Sequence, residues 1–127
     1  MNDTEQDVLE LIRRGENLTV EFKSDERSLP DRDLIAAVVA LANTEGGDLF
    51  LGVEDDCSIT GLHVSHRNVT GLPALIANKT IPSMAVRVEL IELEGQVIAR
   101  IRVPKSRQLV STSDGLLQRR RLKMDGS

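Results

Sequence analysis

The chain has 127 residues, a formal net charge of -4, 40% hydrophobic residues and two aromatics, both Phe. That is enough apolar content for one folded domain, and it excludes a disordered chain or a strongly basic, histone-like protein. The absence of Tyr and Trp also excludes single-strand binding modes that stack bases on those side chains. Cys57 is the only cysteine, so there is no disulfide framework and no cysteine-based zinc site. The acidic N-terminus lacks the regions of a signal peptide and no apolar run has bilayer length, so a cytoplasmic location without membrane contact is expected.

Residues 4–14 predict a first helix: Asp3 or Thr4 can cap it, and Arg13 and Arg14 sit at its end, as the helix dipole favours. Val8, Leu11 and Ile12 form its apolar face, and Gly15 ends it. Residues 18–23 alternate, with Leu18, Val20 and Phe22 on one face and Thr19, Glu21 and Lys23 on the other, as in a half-buried strand. After a charged loop, Pro30 and Asp31 open a helix that runs to about Ala42. Leu34, Ile35, Val38, Val39 and Leu41 cover most of its circumference, which places it at the centre of the fold. A strand over 48–54, a turn at Asp55-Asp56 and a short returning strand over 59–62 follow. Residues 68–79 make a helix candidate whose start is weakened by Gly71 and Pro73. Residues 84–92 and 96–103 read as strands joined at Glu94-Gly95, a hairpin signal. Residues 108–112 and 116–121 read as a second pair around Ser113-Asp114-Gly115. The sum is a single α+β domain over 1–127, a mainly antiparallel sheet with two to three helices packed on one face.

Four groups of residues could carry chemistry. Glu21 and Lys23 lie two apart on a strand and share a face, with Glu16 just before it. Such a set could hold a divalent cation or polarise a phosphate, although a solvated ion pair has the same spacing. Glu54-Asp55-Asp56 ends the next strand, where acids serve as cation ligands or simply as turn formers. Gly46-Gly47 joins helix to strand with one glycine more than a helix stop needs, which suggests a close approach to the backbone, by a phosphate or by a tight turn. It is not a Walker loop, because no Gly-Lys-Ser/Thr follows. Arg119-Arg120-Arg121 with Lys123, together with Arg100, Arg102, Lys105 and Arg107, form a basic cluster in an acidic chain. If the last strands pair, part of it becomes a positive face for phosphates. His63 and His66 have no partner at ligand spacing and are expected at the surface, and nothing around Cys57 argues for a nucleophile.

Three segments together resemble a known family: Glu16-Asn-Leu-Thr-Val-Glu21-Phe22-Lys23, then Ala40-Leu41-Ala42-Asn43-Thr44-Glu45-Gly46-Gly47, then Leu51-Gly52-Val53-Glu54-Asp55. In this order and spacing they resemble the Schlafen-type AlbA-like domain, over about residues 15–121. Val103-Pro104-Lys105-Ser106 matches a further family segment more loosely. The resemblance implies a DNA-binding domain that heads bacterial transcriptional regulators, with further modules downstream. In Schlafen proteins it implies a metal-dependent endoribonuclease core, whose three acids fall by motif on Glu16, Glu21 and Asp55, with Lys23 beside them. The chain departs from the family at residues 117–121, where an aromatic is usual and none occurs. Older descriptions of the family as a divergent AAA module imply ATP binding, which finds no support in these residues.

The reading that follows is a nucleic-acid-binding domain, for DNA more than RNA, forming the N-terminal part of a longer bacterial regulator that self-associates. Arg100, Arg102, Arg119 and Arg121 are expected to contact phosphates, with Gly46 and Gly47 at the same surface and near the acidic cluster. The alternatives are an endoribonuclease holding Mg²⁺ or Mn²⁺ on Glu16, Glu21 and Asp55, and a non-catalytic oligomerisation module. No cofactor is required by the first reading.

Overall fold

The computed structural model describes residues 3–115. Its elements are α1 (Asp3–Arg13), β1 (Val20–Lys23), α2 (Asp31–Ala42), β2 (Gly47–Leu51), α3 (Leu72–Asn78), β3 (Thr80–Ile81), β4 (Arg87–Leu93), β5 (Gln96–Val103) and β6 (Ser111–Thr112). The main sheet has the order β1-β2-β5-β4, and β3 pairs with β6 in a small second sheet. The fold is α+β. The expected strand over 116–121, with Arg119 and Arg121, lies outside the described residues, as does Lys123.

β1 and β2 are parallel, whereas β2–β5 and β4–β5 are antiparallel. A parallel pair needs a long crossover, and α2 supplies it. Register and side-chain alternation then sort the residues of the sheet between two faces. Leu49 and Leu51 lie on one face with Ala99, Ile101 and Val103, and the buried residues of α2 pack there. Phe50 lies on the other with Val20, Phe22 and Ile98, against Val8, Leu9 and Ile12 of α1. The expected one-sided arrangement is therefore corrected: helices cover both faces. The reason is in β2, where Leu49, Phe50 and Leu51 are all fully buried, so each face of the sheet is apolar and each needs a cover. Phe22 and Phe50 meet at 6.3 Å between ring centroids, and they anchor the smaller of the two cores.

Other boundaries move for local reasons. α3 starts at Leu72, because Pro73 suits the first helical positions and Gly71 takes the cap. No strand forms over 59–62. Ile59 makes an isolated bridge to Val53, and the N–H groups of Thr60 and Gly61 both donate to Gly52 O. In the β4–β5 hairpin Glu94 and Gly95 both have positive φ, 52° and 77°, as a two-residue hairpin turn requires. That turn sets Leu93 opposite Gln96, and from there Glu89 opposite Arg100 and Arg87 opposite Arg102.

Candidate functional site

Because β1 and β2 run parallel, their C-terminal ends lie side by side, the usual place for a ligand in such a pair. A pocket of about 570 Å³ opens there, lined among others by Glu16, Glu21, Lys23, Glu54, Asp55 and Asp56. Glu21 and Lys23 share a face of β1, with Oε1 and Nζ 3.8 Å apart. Glu16 comes from the turn before β1, and the Phe22 N–H donates to its Oε2 at 3.4 Å. The Glu16 carboxyl is also hydrogen-bonded to Glu21 and to Asp55. Burial of the carboxyl, then the hydrogen bond and like charge of Glu21, then Asp55, push it up to about 7, against the pull of the Phe22 N–H. Glu16 thus takes up a proton near neutral pH, well above the ordinary carboxylate range.

The other two acids of the pocket have structural tasks. Thr60 Oγ1 donates to Glu54 Oε2 at 2.6 Å. The hydroxyl and N–H of Ser58 hold Asp56 below the usual carboxylate range, the N–H donating to its Oδ1 at 2.9 Å. The structure therefore brings Glu16, Glu21 and Asp55 into one hydrogen-bonded set. Among the described residues, no group of three His, Cys, Asp or Glu is placed to hold a metal ion. The donor chemistry nonetheless suits Mg²⁺ or Mn²⁺, which take hard carboxylate oxygens.

The double glycine sits at the other end of β2, roughly 13 Å away at the rise of a strand. Gly46 has φ +72°, and its N–H donates to Leu41 O at 2.7 Å, closing the end of α2. Gly47 has φ +139°, and a Cβ there would lie 2.1 Å from Thr19 O. A Cβ on Gly46 would lie 2.6 Å from the backbone N of Lys105. What comes close to these glycines is the protein's own backbone, on both sides. The expectation that this turn lies near the acidic cluster is corrected, since β2 separates the two.

Gly47 does line a second pocket, of about 580 Å³, with Val86, Arg87, Arg100, Arg102 and Pro104. This is the half of the α1 face that α1 leaves open. Asp48 lies directly opposite Arg102, and Glu89 directly opposite Arg100, yet each acid reaches diagonally. Arg100 Nε donates to Asp48 Oδ1 at 2.9 Å, and Arg102 Nε lies 3.3 Å from Glu89 Oε1. The Arg100 guanidinium also lies over the Phe50 ring, 5.7 Å from its centroid. Arg87 is exposed and makes no ion pair among the described residues.

A model of the family described as Schlafen, AlbA_2 matches residues 16–124. The chain belongs to the Schlafen, AlbA_2 family. Two solved structures share the fold of this AlbA_2 chain. The DIP2311 protein from Corynebacterium diphtheriae matches with TM-score 0.70 and 21% identity over 93% of the chain. The chain spans only 25% of that protein's length. The N-terminal domain of an ATP-dependent DNA helicase RecG-related protein from Nitrosomonas europaea matches with TM-score 0.63 and 18% identity, covering 97% of this chain and 92% of that one. No curated protein matches. Among the described residues of the AlbA_2 chain, no helix is long and apolar enough to cross a membrane.

Two groups in the AlbA_2 chain escape a reading of the sequence. Arg87 is one, although the Glu94-Gly95 turn already implies its place opposite Arg102. Asp25 is the other. It is fully buried and accepts from Leu29 N–H and His63 N–H, both at 2.8 Å, while both of its oxygens lie 2.9 Å from His66 Nδ1. His66 is thus not a free surface histidine: it helps to clasp the loop after β1 to the segment before α3. Ser65 N–H donates to His63 Nδ1 at 3.1 Å, and Ser65 Oγ lies 2.7 Å from Ser28 Oγ, which extends that clasp.

Proposed function

We propose that this Schlafen AlbA_2 chain is a nucleic-acid-binding domain of a cytoplasmic, self-associating bacterial transcriptional regulator, with DNA preferred over RNA. The observation that carries the reading is the open half-face of the sheet with Arg87, Arg100 and Arg102. Three guanidinium groups stand there with two carboxylates, in a chain whose overall charge is -4. Attraction is therefore local, and the arginines are positioned rather than merely abundant. The kinship of one structural neighbour's name to a DNA helicase fits this reading.

Each phosphate neutralised on this face adds about -0.9 to the log–log salt slope, so binding should weaken as salt rises from about 50 to 200 mM. Fluorescence anisotropy with a labelled mixed-sequence duplex tests this. Arg87→Ala/Arg102→Ala should weaken binding at every sequence tried, and a wild-type protein that ignores DNA at 50 mM salt would sink the proposal.

A second reading rests on the hydrogen bonds that join Glu16 to Glu21 and Asp55. In it the domain is an endoribonuclease. Glu16, Glu21 and Asp55 would hold Mg²⁺ or Mn²⁺, which when bound supplies Lewis-acid activation of water and phosphate. Lys23, beside Glu21, would neutralise charge on the cleaved phosphodiester. Incubation with tRNA and Mn²⁺ tests this reading: cleavage lost in Glu21→Gln supports it, and no cleavage, or equal cleavage by that variant, removes it.

A further inference from the structure

We infer that Arg87 and Arg102 form a phosphate subsite on this face of the sheet. The inference rests on the nucleic-acid reading of this face and names the groups that would meet the ligand. Register places Arg87 directly opposite Arg102 on neighbouring strands, so both side chains stand on one face. Like charges so placed repel and weaken a strand pair unless something lies between them. The crossed ion pairs leave that space open. Asp48 and Glu89 engage Arg100 and Arg102 through Nε, and the Arg102 side chain stays 43% exposed, so its terminal nitrogens can meet an outside acceptor. A planar fork of that kind matches two oxygens of one phosphate.

The charge count points the same way. Two of the three arginines are matched by carboxylates, and Arg87 is the surplus. One positive charge in excess is what a single phosphodiester balances. The walls admit such a group: Gly47 has no side chain, and Val86 and Pro104 are small and uncharged. An inorganic phosphate and a backbone phosphate of DNA share this chemistry, and two arms of one experiment separate them.

In the first arm the protein is titrated with inorganic phosphate while the arginine Nε–H signals are followed by NMR. Arg87 and Arg102 should shift together, and Arg87→Gln should weaken the phosphate at least tenfold, with Arg87→Lys in between. Arg87 is exposed and makes no ion pair among the described residues, so an unchanged thermal midpoint should accompany the substitution. In the second arm, duplex DNA binding is measured against salt, and Arg87→Gln should lower the slope by about one. Phosphate held at Arg87 without any DNA affinity supports the subsite and removes the nucleic-acid reading. DNA bound with an unchanged slope in Arg87→Gln overturns the subsite and leaves that reading standing. Phosphate that moves none of these arginines, or binds Arg87→Gln as it binds the wild type, also overturns it.

Discussion

The two ends of β2 carry opposite charge and handle it differently. Beyond its C-terminal end, five carboxyl groups line one pocket with Lys23. There the crowding is relieved by a proton: Glu16 is pushed up to about 7 by burial and by Glu21. At its N-terminal end, on the opposite face, two of the three arginines are held in crossed ion pairs with carboxylates, and among the described residues Arg87 is left unmatched. The acidic end gathers like charges on loops and an edge strand, where adjustment is easy. The basic end mounts its charges on the β4–β5 hairpin, where register holds them in place. Crowded carboxyl groups are relieved by a proton, whereas a rigid face with a spare guanidinium suits a phosphate. The two are on different faces, so a ligand on one need not touch the other.

The largest expected effect decides whether the glycine turn belongs to this contrast at all. Gly47→Ala combines a φ of +139° with a Cβ that would meet Thr19 O, and should cost about 3 kcal/mol or more. Chemical denaturation measures it. A variant that stayed as stable as the wild type yet lost DNA binding would make the turn a ligand contact, against the packing described above. Next in size, Arg87→Ala/Arg102→Ala should weaken duplex binding about tenfold or more at low salt, while Mn²⁺ affinity at the acidic end stays within twofold. If both fell together, the two ends would be one site.

The smallest effect concerns pH. The carboxyl of Glu16 goes from an ordinary value of 4.5 to about 7 in the folded protein. The stability it contributes is therefore fully present below about 4.5 and is lost as pH rises through about 7. Glu16→Gln should flatten that part of the profile and raise the melting temperature slightly at pH 8, as thermal unfolding across pH would record. A steeper profile in the variant would mean that Glu16 is not the group that holds the proton.

Much of this architecture is legible in the sequence, and the parts that are not have physical causes. α2 follows from its nearly all-round apolar surface after Pro30, and the β4–β5 hairpin from Glu94-Gly95. The union of Glu16, Glu21 and Asp55 follows from motif order. The two-sided cover of the sheet and the parallel β1–β2 pair do not, because both depend on where α2 crosses. β3 and β6 are two residues each and more than 25 apart in the chain, so no local pattern marks their pairing. Asp25 looks like any loop acid until His63 and His66 fold back on it. The second glycine needs Thr19, which comes close only once β1 has docked beside β2.

Mapping a duplex onto the protein by backbone and arginine side-chain NMR shifts tests the central claim most directly. The account predicts changes concentrated at Asp48, Arg87, Arg100 and Arg102, with Glu21, Lys23 and Asp55 unmoved. Changes centred on Glu21, Lys23 and Asp55, with the arginines still, would contradict it.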